Sequence, residues 1–380
     1  MNLFGLYFMF VVSSVVECDH FRGAVFSWAP VDDGNNITVT FRIAWTMSSA
    51  PCNDTTITSG TPIGLNSITC SGCIGTIGTL KFRCKDYIEN EWSSGGNCIL
   101  YNTSSVQQFT FGYSGGAWVD LLSGGRSWSL QATVDLVPRP DTGKINSSPT
   151  VDMPSILYWQ TNCTYSFALP VHDVDGDVIK CRWAVGYTEC AGVCQAFPGS
   201  SLDVSTCTIA NTVGITTGYY AAAIQIEDFA NGTSTTPLSS IPLQFLVYVY
   251  SGSGCADASQ FVSPTPTAYE QFYIDVGSPF SLTIKVQGPH SFLRIVILSD
   301  IGLVESSKTA SQNSSEHYLT LIASLDSLLL LILISTTEFA SMQETASESQ
   351  VTRDVSIYLF QMLTSVYRLL VVLVVLVPIL

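Results

Sequence analysis

The run Ile37-Thr-Val-Thr-Phe-Arg-Ile-Ala-Trp45 places an apolar side chain at every second position. A period of two puts successive side chains on opposite faces of a β-strand, so this run predicts a strand with one buried face. Similar runs occur at residues 23–28, 107–113 and 127–134. Turn-forming clusters at residues 33–36, 93–97 and 123–125 lie between them. The sequence therefore predicts an all-β fold of tandem β-sandwich modules.

The composition narrows the class of function. The chain has 380 residues, of which 15 are basic and 30 are acidic. This excess of acid repels the phosphates of nucleic acid, so nucleic-acid binding is excluded. Charged residues make up only 12% of the chain, a composition that suits an extracellular β protein better than a cytosolic helical enzyme.

The N-terminus indicates the secretory pathway. Residues 1–18 contain an apolar run followed by small residues, which predicts a signal peptide, although no basic residue precedes the run. An uncleaved anchor is the alternative. The predicted location is extracellular or at the cell surface.

Twelve cysteines fall into two groups on either side of a cysteine-free stretch, residues 99–162. In an oxidising compartment such groups form disulfides, and we expect each group to pair internally. The Cys70-x-x-Cys73 spacing lacks the second pair of a zinc site and the following helix of a redox motif. Apart from Cys18, beside the expected cleavage site, the disulfide candidates are Cys52, Cys70, Cys73, Cys84, Cys98, Cys163, Cys181, Cys190, Cys194, Cys207 and Cys255.

Seven Asn-x-Ser/Thr acceptors are spread along the chain. In a secreted protein they predict surface loops that carry glycans. The predicted glycosylation sites are Asn36, Asn53, Asn102, Asn146, Asn162, Asn231 and Asn313.

Composition shifts divide the chain into segments. Residues 19–145 form an N-terminal β-rich cysteine module, residues 146–254 a second β-sandwich and residues 255–320 a partial third module. Residues 321–380 form a hydrophobic, partly helical tail that favours membrane attachment. Open alternatives are a membrane span, a lipid-anchor signal, and a secreted chain or wrongly assembled C-terminus.

The second module resembles cadherin-like and related immunoglobulin-like adhesion modules. The resemblance rests mainly on Asp173-Val-Asp-Gly-Asp177, with strands at residues 165–171, 178–183 and 219–228 and a Pro-flanked start at residues 148–150. More loosely, residues 19–255 are similar to paired modules of uncharacterised invertebrate ectodomain proteins. The resemblance implies an extracellular location and no catalytic activity.

Two motifs bear on chemistry. Gly112-Tyr-Ser-Gly-Gly116 matches the nucleophile elbow of serine hydrolases, but no helix follows Ser114, so a β-turn is predicted instead. Asp173, Asp175 and Asp177 are hard oxygen ligands that repel one another, which favours a calcium site completed by Glu227 or Asp228. The equally weighted alternative is an Asp-Gly turn whose acids face water.

We therefore predict a non-enzymatic adhesion or recognition ectodomain, membrane-attached, that binds an extracellular protein or glycan whose identity the sequence does not specify. The first alternative is a secreted structural or matrix spacer with calcium-stiffened modules. An enzyme, a serine hydrolase at Ser114, is the second.

Overall fold

A computed structural model describes the backbone and side chains of residues 21–31, 35–211, 216–251, 255 and 263–264. It describes only the backbone of residues 260–262, 279–287, 293–296, 304–309, 316–324 and 375–378. The predicted signal peptide, Cys18 and most of the hydrophobic tail lie outside these residues.

The described chain is mostly β-strand. The N-terminal strands are β1 (Phe21–Val31), β2 (Asn36–Thr46), β3 (Pro62–Ser71), β4 (Gly78–Ile88), β5 (Trp92–Asn102), β6 (Gln108–Gly116) and β7 (Ser127–Asp135), with helix α1 (Asp54–Ser59) between β2 and β3. The next are β8 (Thr150–Val151), β9 (Ile156–Gln160), β10 (Tyr165–Ala168), β11 (Val171–His172), β12 (Val178–Trp183), β13 (Ser200–Asp203), β14 (Thr208–Asn211), β15 (Gly218–Phe229) and β16 (Ser239–Tyr250), with helix α2 (Gly186–Glu189) and a 3-10 turn (Ala191–Val193) after β12. The last are β17 (Gln260–Val262), β18 (Pro279–Gln287), β19 (Leu293–Val296), β20 (Val304–Thr309), β21 (Glu316–Ser324) and β22 (Val375–Pro378). The predicted all-β fold with disulfide-bonded modules is confirmed.

The first seven strands form one curled sheet with the order β1-β2-β5-β4-β3-β6-β7. Its two end strands meet, because Phe21 of β1 stacks on Trp128 of β7 with ring centroids 4.2 Å apart. Trp118, fully buried, packs edge-on against Phe21 at 4.5 Å. Aromatic pairs of this geometry add about 0.5–1.5 kcal/mol each beyond the area that they bury. The aromatic cluster thus holds the curl closed.

The second module is a two-layer sandwich. Strands β16, β15 and β12 form one layer, with β9 added parallel to β16, and β10-β14-β13 form the other. Trp159 of β9 stacks on Tyr165 of β10 at 4.7 Å between the layers, and the Cys181–Cys207 bridge also links them. This arrangement of strands is immunoglobulin-like.

One edge of β16 connects the two modules. Along that edge β16 pairs first with β7 at Ser240, then with β1 through residues 243–245, then with β9 through residues 246–250. Gly23 of β1 permits the approach, since an added Cβ would lie 2.6 Å from the carbonyl oxygen of Gln244. The ladder therefore crosses the boundary between the two predicted modules.

Side chains satisfy the rest of the open edge of β7. Because β7 pairs with β16 at a single residue, its neighbouring carbonyl groups need other donors. Gln225 and Gln244, 0% and 1% exposed, are two of these donors. The bonds run from Gln244 Nε2 to Ser129 O at 2.7 Å, from Gln225 Nε2 to Gln131 O at 3.2 Å and from Trp28 Nε1 to Thr133 O at 2.9 Å. We call these three side chains the β7 edge donors.

Five disulfides confirm that each cysteine group pairs internally. The pairs are Cys52–Cys84, Cys70–Cys73, Cys163–Cys255, Cys181–Cys207 and Cys190–Cys194. Cys98, a predicted disulfide candidate, is exposed and unpaired in the part of the chain that the structure describes, and Cys18, the other cysteine without an assigned partner, lies outside those residues.

Two predicted turns are strands. Residues 93–97 lie within β5, where glycine serves close approach to β4 and not chain reversal: an added Cβ at Gly95 would lie 1.9 Å from the carbonyl oxygen of Arg83. Residues 112–116 lie within β6 and pair with β7 up to Ser127. A run of small residues is compatible with a strand when a β-bulge or a neighbouring backbone needs the space, and β4 has such an irregularity between Cys84 and Asp86.

The predicted third module, residues 255–320, contains strands, among them β18 and β19. Strand β22 lies in the predicted tail and pairs with β19. Within the described residues, no helix is long and apolar enough to cross a membrane.

We expect Gln244→Leu, which keeps the side-chain volume but removes a β7 edge donor, to lower the free energy of unfolding by about 1–3 kcal/mol, the cost of a buried unpaired carbonyl. Urea unfolding of the full chain measures it. Gln107→Leu is the matched control, because Gln107 is exposed. Equal midpoints for both variants would mean that the edge donors do not stabilise the junction.

Candidate functional site

The acidic turn between β11 and β12 folds around Asp173. Its Oδ1 accepts the backbone N–H groups of Asp175 at 2.9 Å and Asp177 at 3.1 Å, and Gly176 takes a φ of 81° to close the turn. Asp173, Asp175 and Asp177 each offer a carboxylate oxygen within 4.8 Å of the others. Carboxylate oxygens this close together can share one calcium ion, whose oxygen ligands lie at about 2.3–2.6 Å.

One carboxylate oxygen in this turn has no partner. Asp173 is 7% exposed, and its Oδ2 makes no hydrogen bond. Burial raises the pKa of Asp173, and the charges of Asp177 and Asp175 add to that rise. An unpaired buried carboxylate oxygen is costly, which favours a cation or a proton beside it.

A guanidinium from the segment between the modules already meets the turn. Arg139 binds Asp177 with both terminal nitrogens, one of them at 2.7 Å, and also Asp141 at 2.8 Å. Hydrogen bonding to Asp177 and Asp141 raises the pKa of Arg139, and Arg139 in turn lowers the pKa of Asp141. Two-point binding of this kind fixes orientation as well as charge.

Asp228 lies in the same region but is not available as a ligand. Its Oδ1 accepts the backbone N–H and the hydroxyl of Ser239, both at 2.7 Å, and its Oδ2 accepts Asn146 Nδ2 at 2.6 Å. Burial raises the pKa of Asp228 to about 6, although the hydrogen bonds from Asn146 and Ser239 lower it. The predicted role of Asp228 in a metal site is therefore not supported by its contacts.

Glu227 belongs to a different cluster. Neighbouring side chains of a strand point to opposite faces, so Glu227 faces away from Asp228 and binds Arg182 Nε at 2.9 Å. Arg182 also binds both oxygens of Glu189 at 2.8 Å. Burial alone would raise the pKa of Glu189, but these bonds outweigh it and the pKa is lowered. Glu227 does not complete the acidic turn.

The cluster around Arg182 anchors a loop that the sequence analysis did not single out. Residues 185–194, here called the stapled loop, are closed by the Cys190–Cys194 bridge. Glu189 also accepts the N–H of Val185 at 2.9 Å, and its carbonyl accepts Gln244 Nε2 at 2.9 Å. At the tip Val185 is 62% and Tyr187 79% exposed. The short spacing of Cys190 and Cys194 was the available signal.

The sequons differ in accessibility. Asn53, Asn102, Asn162 and Asn231 are exposed, and Asn36 is half-buried. Asn146 is 2% exposed, and its side-chain Nδ2–H donates a hydrogen bond to Asp228 Oδ2. Because a glycan is attached to that nitrogen, the predicted site at Asn146 is incompatible with the folded structure. Asn313 lies outside the described residues.

The hydrolase alternative has no geometric support around Ser114. Ser114 lies inside β6 opposite Ser129, and no helix follows it. His172, the histidine whose side chain is described, is in β11 of the second module. The backbone strain of a nucleophile elbow requires a strand-to-helix turn at the serine, which β6 does not provide.

Fold and disulfides define the class: an all-β, disulfide-bonded chain of extracellular or cell-surface type, with an immunoglobulin-like second module. Residues 22–137 match the family model described as integrin beta-like protein A-E, N-terminal. The matched segment corresponds to the curled sheet, β1 to β7. Curated protein sequences contain no significant match.

Solved structures show only distant likeness. A protein from Bacteroides fragilis that is described as an α-galactosidase is 16% identical over 28% of this chain and 18% of its own, with a TM-score of 0.21. Dpr2 Ig1-Ig2, solved with DIP-Theta Ig1-Ig3, is 15% identical over 46% of this chain and 86% of its own, with a TM-score of 0.17. The four N-terminal Ig domains of Dscam1 are 11% identical over 78% of this chain and 92% of their own, with a TM-score of 0.17. Such scores carry no functional assignment.

The buried Asp228 predicts an unusual pH dependence. Its folded pKa of about 6 exceeds the unfolded value of about 3.9. Its contribution to the free energy of unfolding is therefore fully present below about pH 4, and it is lost as pH rises through about 6, by up to roughly 3 kcal/mol.

Urea unfolding in chelator at about pH 7.5 and about pH 5 measures this contribution. Asp228→Asn should lower stability at both pH values yet flatten the difference between them. Asp203→Asn is the control, because Asp203 is exposed and its pKa is lowered, so it does not titrate in this window. Equal slopes in wild type and Asp228→Asn would contradict the assignment.

Proposed function

We propose that the protein is a non-enzymatic adhesion or recognition ectodomain, and that the stapled loop contacts an extracellular protein partner. The observation that carries the proposal is the exposure of Tyr187 and Val185 on a loop held by a disulfide and by Arg182. Exposed apolar groups on a rigid support are typical of binding surfaces.

Rigidity matters because binding costs entropy. Immobilising a flexible side chain or loop on binding costs about 0.5–1.5 kcal/mol per side chain, and a loop already fixed avoids most of that loss. Tyrosine is enriched among the residues that dominate interface energies. Tyr187 thus supplies an anchor at low entropic cost.

The location of the loop also supports this role. Strands β15 and β16 are buried along nearly their whole length, and Gln225 and Gln244 direct one face of them at β7. That face is occupied within the molecule, so loops and the outer surface of the curled sheet are left for partners. The integrin beta-like family match over residues 22–137 fits an extracellular recognition role.

Three features of the proposal rest on sequence alone. They are the signal peptide of residues 1–18, membrane attachment through residues 321–380, and glycans at the exposed sequons Asn53, Asn102, Asn162 and Asn231. No sequon lies between residues 163 and 230, so the stapled loop itself carries no predicted glycan.

We expect Tyr187→Ser to reduce binding of the purified full chain to intact cells at least tenfold, the loss that corresponds to about 1.4 kcal/mol or more for an anchor residue. Saturable binding of labelled protein, competed by unlabelled protein, is the measurement. Tyr219→Phe, at a half-buried tyrosine ring pair, controls for loss of a hydroxyl without change at the loop.

Saturable binding that Tyr187→Ser leaves unchanged would remove the stapled loop from the proposal. The absence of saturable binding for the wild type, to cells and to a second copy of the chain, would favour the spacer.

A calcium role is a second candidate, favoured by the unpartnered Oδ2 of Asp173 within an oxygen cluster. Asp173, Asp175 and Asp177 would hold the ion. Arg139 supplies one positive charge against Asp141 and the three acids of the turn, and calcium would supply the positive charge that is still missing. Extracellular sites of this kind bind calcium at about 10⁻⁴–10⁻³ M.

Thermal melts of the full chain with millimolar calcium or with chelator test this site. We expect calcium to stabilise the folded state by about 1 kcal/mol at a few times the dissociation constant. Asp173→Asn should abolish the effect, whereas Glu227→Gln should retain it because Glu227 binds Arg182 instead. Identical wild-type melts in both buffers would show that Arg139 is the only counter-charge of the turn.

A further inference from the structure

Four arginines of the described chain have acidic partners. Arg126 pairs with Asp120 at 3.2 Å, and Arg42 with Asp152 at 3.8 Å. Arg139 and Arg182 are held by the acids described above. Lys81 and Arg83 differ, because both are exposed and neither side chain makes a hydrogen bond or ion pair with the residues that the structure describes.

These two side chains share one face of β4. Strand residues two apart point to the same side, about 6.6–6.8 Å from each other. Between and beside them Leu80, Phe82 and Cys84 are buried, so Lys81 and Arg83 lie on the outer face of the curled sheet. Lys81 is opposite Gly64 of β3 and Arg83 opposite Gly96 of β5. Arg83 is also opposite Pro62 of β3, so the paired neighbours of the two cations are glycine or proline and carry no charge.

The strands around these two side chains contain few acids, although Arg42 of β2, which is opposite Gly96, pairs with Asp152. Strands β2, β3, β4, β5 and β6 contain one acidic residue, Asp86, which is 3% exposed. The chain as a whole carries 30 acidic residues. Most acids of the chain lie outside these strands, so the exposed Lys81 and Arg83 can attract an anionic ligand.

We propose that this outer face, around Lys81 and Arg83, binds a sulfated polysaccharide. Hydroxyl groups surround the cations, among them the Ser67 and Thr79 pair at 3.2 Å, and they suit the hydroxyls and sulfates of a sugar chain. Leu100 is the large apolar side chain exposed on β5. A protein interface is normally centred on packed tryptophan, tyrosine and arginine side chains, whereas Arg83 lies here in an exposed, hydroxyl-rich surface. The surface is separate from the stapled loop and goes beyond the proposed function.

Retention of the full chain on immobilised heparin tests this assignment. At about 50 mM salt the wild type should be retained despite its acidic charge, and it should elute near about 0.2 M because few cations are involved. Lys81→Gln with Arg83→Gln should pass through. Lys144→Gln, which removes an exposed lysine of the segment between the modules, should elute with the wild type. Desulfated heparin should retain none of them.

Unchanged retention of the double variant would overturn the assignment, and so would an equal loss of retention in Lys144→Gln. Retention on immobilised polyglutamate with none on heparin would also overturn it, because the partner would then be an acidic protein. Tyr187→Ser separates this surface from the proposed function. It should keep heparin retention while losing cell binding. Loss of heparin binding by the double variant alone, with cell binding intact, supports two independent sites.

Discussion

The junction of the two modules depends on one requirement: the backbone groups along the open edge of β7 must find hydrogen-bond partners. A curled seven-strand sheet leaves an edge at each end, and buried carbonyl groups there need donors. The strand β16 meets both ends, pairing briefly with β7 and over three residues with β1. Gln225, Gln244 and Trp28 supply the donors that the short pairing leaves out. The second module is thereby part of the surroundings that the first module needs.

This junction determines which surfaces are free. The sheet of an immunoglobulin-like module has an outer face, and here Gln225 and Gln244 commit that face to β7. The carbonyl of Glu189 binds the same Gln244, so the stapled loop is anchored on the junction itself. Its tip nevertheless points away, with Tyr187 in solvent. The interaction that joins the modules therefore also stiffens the surface proposed for recognition.

Charge distribution follows the same division. Acidic groups gather at the acidic turn, where Arg139 from the segment between the modules binds Asp177 and links that segment to the second module. Asp228 and Asn146 extend the link through a buried hydrogen bond. The outer face of the curled sheet is left with Lys81 and Arg83. The acids of the turn are thus partly neutralised within the molecule, whereas Lys81 and Arg83 of β4 stay exposed.

Period-two patterns such as residues 37–45 and the grouping of cysteines by themselves determined the all-β class and the pairing of disulfides within each group, because both depend on local order along the chain. Local pattern misread residues 93–97 as a turn, since the need for glycine there comes from a carbonyl of β4. It grouped Glu227 with Asp228, although strand alternation sends them to opposite faces. It placed a glycan on Asn146, which only folding buries. The edge donors, the stapled loop and the unpaired cations of β4 were decided by tertiary structure, because each depends on which strands become neighbours in the folded chain.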